Sequence, residues 1–76
     1  MSPCYTRHLE EILRRAGAEN TPENRRLLDR AVREVLEKQR SDCDDVWKIV
    51  KPIMQGNGSK KKEFEEKVTR LLVKYL

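Results

Sequence analysis

Cys4, His8 and Cys43 are the residues of this 76-residue sequence best suited to covalent or metal chemistry. Cys4 and His8 stand four apart, so on a helix they share one face, one turn from each other. Nucleophilic catalysis needs a nucleophile, a base and a third group that orients the base. The residues around neither cysteine match the local signatures of cysteine enzymes, so no catalytic residue is assigned and no enzyme is expected. Cys4, His8, Cys43 and an aspartate would total four metal ligands, but structural zinc sites draw on closely spaced pairs that this sequence lacks. Asp42-Cys43-Asp44-Asp45 also lacks the later glycine and bidentate glutamate of a calcium loop. Its acids suit the positive end of a helix dipole instead. No metal and no cofactor are expected, and the two cysteines are expected as thiols.

Charge offers a second kind of chemistry. Lys and Arg number 17 against 13 Asp and Glu, a net charge of +4, and the surplus falls within residues 21–40 and 56–76. Arg26, Arg30 and Arg33, together with Arg40, lie opposite a leucine stripe and could track phosphates. Asp29, Glu34 and Glu37 interleave with them, and pairs such as Asp29/Arg33 and Arg30/Glu34 at i, i+4 favour a solvated, salt-laced face. Lys60-Lys61-Lys62 is harder to absorb, because three cations at the start of a helix oppose its dipole. The favoured reading makes them loop, with the helix proper opening at Glu63 on the acids Glu63, Glu65 and Glu66. The alternative is a small anion or phosphate site.

The elements that position these groups are four helices, over about 3–16, 22–39, 42–54 and 60–75. Ser2 and Pro3 open the first, and Gly17 can close it in the left-handed conformation. Tyr5, Leu9, Ile12 and Leu13 form its apolar stripe. Thr21-Pro22-Glu23 is a cap, a first-turn proline and a first-turn acid for the second, whose stripe is Leu27, Leu28, Ala31, Val32, Val35 and Leu36. The third, on Val46, Trp47, Val50, Ile53 and Met54, has the widest apolar arc and should be the most buried. Pro52 should end it near Lys51 or kink it. The fourth uses Phe64, Val68, Leu71, Leu72 and Tyr75. Strand patterns are absent. With 37% hydrophobic and 39% charged residues, the expectation is one all-α domain, a bundle with a thin core and no large enclosed cleft for a small-molecule substrate.

Ile12-Leu13-Arg14-Arg15-Ala16-Gly17-Ala18-Glu19, followed by a capped helix opening on Asn24-Arg25-Arg26, resembles the corner between the first and second helices of archaeal histones. That resemblance implies a dimer wrapping DNA. Beyond the corner the sequence departs from the pattern: Ser41-Asp42-Cys43-Asp44-Asp45 falls where a long central helix should run, and Pro52 follows.

The sequence therefore predicts a non-enzymatic module that binds a protein partner or itself, with Ile49, Val73 and Leu76 as interaction-surface candidates. The alternative is a DNA- or RNA-binding protein contacting phosphates through Lys60, Lys61, Lys62 and the arginines of the second helix. No apolar run approaches the roughly 20 residues of a bilayer span. The N-terminal residues lack the apolar core of a secretory signal, so a cytoplasmic location is expected.

Overall fold

In a computed structural model, residues 5–56 and 58–76 are described. A 3-10 turn, Thr6–Leu9, runs into α1, Glu10–Arg15; α2 is Pro22–Leu36, α3 is Cys43–Gln55 and α4 is Ser59–Tyr75. No strand occurs among the described residues, so the all-α bundle of four helices holds.

The first segment is split where the sequence predicts one helix over 3–16. Leu9 departs from helical geometry at φ −118°, ψ 25°. In the tighter turn before it, Thr6 and Leu9 are both buried, because residues three apart eclipse in a 3-10 helix. The cap at Ser2 and Pro3 lies outside the described residues. Gly17 takes φ 75°, and the N–H of Ala18 donates to the Leu13 carbonyl at 2.9 Å while that of Gly17 reaches Arg14 at 3.0 Å. This paired closure satisfies carbonyls that the end of α1 would leave open.

Helix α2 opens as its sequence predicts: the Asn24 N–H donates to the Thr21 hydroxyl oxygen at 3.1 Å, and Pro22 follows the cap. It ends at Leu36, three residues short of the expected 39. Glu37 adopts φ 56° and the same paired bonds close the helix, Lys38 N–H to Arg33 and Glu37 N–H to Glu34. A glutamate thus fills the left-handed position that glycine usually holds, which is why residue type alone does not mark the end.

Helix α3 runs through Pro52 to Gln55, so of the two outcomes expected at Pro52 the stop near Lys51 does not occur, and the helix ends one residue beyond the expected 54. Proline removes the donor to the Lys48 carbonyl, and both residues are exposed, so the lost bond is not sealed in the core. The central helix is α4, not α3. Helix α4 packs against α1, α2 and α3 alike, whereas α3 packs chiefly on α4. A wide apolar arc measures how much surface a helix could bury; the number of neighbours decides how much it does.

The core comprises Tyr5, Leu9, Ile12, Leu13, Leu28, Ala31, Val32, Val46, Val50, Phe64, Val68 and Leu72. Every other predicted stripe residue, from Leu27 to Tyr75, packs against it partly buried. Cys43 is disulfide-bonded, which corrects the expectation of a thiol. The other cysteine of the sequence, Cys4, lies outside the described residues. A cross-link suits a chain this short, whose core alone supplies little stability.

Candidate functional site

The Lys60–Lys62 run is helical, not loop. Helix α4 begins at Ser59, behind an N-cap, Gly58, that offers no side-chain acceptor, and no acid falls in its first turn. The lysines thus sit on the positive end of the dipole with its leading N–H groups uncapped by any side chain. None of the three side chains forms an ion pair or hydrogen bond among the described residues. Lys67, by contrast, pairs with Glu63 one turn before it at 3.1 Å.

Two clefts flank these lysines. One, of about 470 Å³, lies between the end of α3 and the start of α4, on Pro52, Ile53, Gly56, Gly58, Ser59, Lys60 and Lys61. Its lining is mostly apolar, and Lys60 and Lys61 contribute to it. The second, of about 360 Å³, is bounded by Arg15, Gly58, Lys61, Lys62, Glu65 and Glu66. There Glu65, 5% exposed, faces the Arg15 guanidinium at 3.9 Å. A third depression on Val35, Ile53, Lys60, Glu63, Phe64 and Lys67 continues the first across Ile53 and Lys60.

The arginines of α2 do not join this cluster. Arg33 is engaged internally: its Nε donates to Asp29 Oδ1 at 2.9 Å and its Nη1 donates to the Ser41 carbonyl. The same Asp29 carboxylate accepts from the hydroxyl of fully buried Tyr5. Burial first, and the adjoining carboxylate second, push the Tyr5 hydroxyl well above its usual range. Burial opposes the Arg33 charge, but Asp29 holds that guanidinium protonated and raises its pKa further. Arg33 therefore offers no free face to a phosphate. Arg30 lies 4.9 Å above the Tyr75 ring, whose hydroxyl donates to Glu34; the expected Arg30/Glu34 pair is replaced by a shared grip on Tyr75. Arg26 is exposed. Lys60 and Tyr75 stand at opposite ends of α4, about 22 Å apart at 1.5 Å per residue. Val35 borders the lysine end while Arg30 sits at the tyrosine end. Arg26, a turn before Arg30, is farther still from the lysines.

Val73 and Leu76 are 53% and 54% exposed and stand one turn apart at the end of α4, while Ile49 is half-buried on α3. His8 stacks on Trp47, ring centres 4.8 Å apart and planes 14° from parallel. Among the described residues no three His, Cys, Asp or Glu side chains converge to hold a metal ion, and no helix is long and apolar enough to cross a membrane.

Sequence reasoning missed Arg15, Pro52 and Ile53 as neighbours of the lysines. Their proximity depends on how α1 and α3 meet α4, which no local pattern encodes. Comparison of the chain with protein families, with curated proteins and with solved structures finds no match.

Proposed function

We propose that the chain is a non-enzymatic interaction module that binds a protein partner at the start of α4. The carrying observation is that Lys60, Lys61 and Lys62 lie on a formed helical turn and form no ion pair, with Lys60 and Lys61 lining an open apolar cleft. Each cation facing the dipole costs about 0.3–1 kcal/mol. Such conflicts between local preference and structure concentrate at functional sites. The cleft's size falls in the range of ligand pockets, but its openness suits a segment of another chain better than an enclosed metabolite.

Nucleic-acid binding shares the cationic requirement, and the lysines speak for it. Against it, Arg33 is internally bonded and Arg30 rests on Tyr75 at the far end of α4. No single basic track unites the two helices. Self-association through Val73 and Leu76 would use that far end, where two exposed apolar side chains are ordinary for a soluble surface. For location, the cytoplasm is our reading from the N-terminal residues, and the disulfide at Cys43 speaks against it.

Site-specific photocrosslinking tests this function. A photoreactive residue at position 60 should trap a protein that the same group at position 26 does not. Nucleic acid trapped at position 60 would overturn the reading, as would identical products from both positions.

A further inference from the structure

Resting on that reading, we infer the chemistry of the occupant: an acidic partner segment carrying a bulky apolar side chain, seated in the α3–α4 cleft. The two halves of the inference come from different walls. Pro52 and Ile53 offer an apolar surface that the bundle does not cover, Pro52 exposed and Ile53 only partly buried. An apolar side chain laid there removes that surface from water. Gly56 and Gly58 line the same cleft where α3 gives way to α4. At Gly58 an added Cβ would meet nothing within 4 Å, and at Gly56 only backbone oxygens of Pro52 and Ile53 at 3.6 Å. Neither glycine carries a side chain, so at these two positions the backbone is open to close approach.

The lining is also cationic, with Lys60 and Lys61 bordering this cleft and Lys61 also bordering the next. Neither ammonium group forms an ion pair within the described residues, and no acid lines this cleft. Carboxylates on either side of the inserted apolar residue complement them. A nucleic acid would satisfy the lysines but leave the Pro52–Ile53 wall unused. A second copy of this chain brings Asp42, Asp44 and Asp45 as acids, but it also brings its own net charge of +4.

The full chain, labelled on amide nitrogens and isoleucine methyls, would be titrated with four probes. The first is a blocked nonapeptide, Glu-Glu-Leu-Glu-Glu-Phe-Leu-Glu-Glu. In the second Gly replaces its Leu and Phe, in the third Lys replaces its Glu, and the fourth is a twelve-base-pair DNA duplex. The acidic apolar peptide should shift the Gly56 and Gly58 amides and the Ile53 methyl. Its affinity should exceed that of the Gly and Lys peptides at least tenfold, and should fall at least tenfold in K60Q/K61Q. Circular dichroism should show that this variant keeps its helices. Equal binding of the Gly or Lys peptide, or shifts confined to other residues, would overturn the acidic-apolar assignment while leaving a protein-binding module intact. Tighter binding of the duplex than of any peptide would sink both that assignment and the protein-partner reading. Binding of no probe would overturn the cleft as a docking site, and sedimentation of the unliganded chain as a dimer lost in K60Q/K61Q would replace the partner with a second copy.

Discussion

Tyr5 and Asp29, 24 residues apart in the chain, share a hydrogen bond in which the buried hydroxyl donates to the carboxylate. Arg33 grips the same carboxylate at 2.9 Å and extends to the Ser41 carbonyl. One chain of contacts thereby ties the segment before α1, the middle of α2 and the loop before α3. Hydrogen bonds to charged groups contribute about 1.5–3 kcal/mol each. Tyr5→Phe should lower unfolding stability by that order in denaturant titration, with little change in slope.

The same bond fixes a response to alkali. The Tyr5 pKa is raised in the folded chain, whereas an unfolded tyrosine titrates near about 10. The folded state therefore holds the proton more tightly. Its contribution is complete below about pH 10 and is lost as pH rises beyond it, at up to about 1.4 kcal/mol per pH unit. Stability measured from pH 9 to 11.5 should fall more steeply in the parent chain than in Tyr5→Phe. Parallel curves would rule the linkage out.

Glu37 at φ 56° pays the steric cost of the left-handed region in a residue with a Cβ. Glu37→Gly should raise stability by about 1 kcal/mol, against the usual direction of a glycine substitution. A loss would mean that the glutamate side chain contributes something its conformation costs.

His8 covers Trp47 at 4.8 Å, and stacked aromatic pairs contribute about 0.5–1.5 kcal/mol beyond burial. His8→Ala should cost about that much and move the emission of Trp47, the sole tryptophan, to longer wavelength as water reaches the ring. Unchanged emission would show that the stack does not shield it.

The lysines allow a prediction of opposite sign to most. Converting Lys60, Lys61 and Lys62 to Gln removes cations from the positive helix end, where each costs about 0.3–1 kcal/mol. Thermal unfolding should show equal or higher stability. A triple variant that unfolds more readily would assign the lysines a structural role.

What the residues declare locally, they declare well. The Thr21 cap, the Gly17 stop and all four apolar stripes follow from spacing and side-chain chemistry within a turn or two. Less legible are features that depend on distant partners or on a residue in an unusual role. Tyr5 reads as one more stripe residue until Asp29 is brought over it. Glu37 gives no sign of ending a helix, and the split at Leu9 leaves no trace in the apolar pattern. The site follows the same division: Lys60–Lys62 stand out in the sequence because they violate the dipole rule. The Pro52–Ile53 wall and Arg15 join them only through the packing of α4.

That packing also has a consequence for synthesis. Helix α4, the last element in chain order, is the one against which α1, α2 and α3 all rest. Phe64, Val68 and Leu72 are missing from any nascent chain that stops before Ser59, so α1 and α2 can then pack on each other but lack the helix that both share with α3. Contacts among the earlier elements can form first, but the shared core closes only once α4 is available. The emerging apolar stripes depend until then on the tunnel or on chaperones.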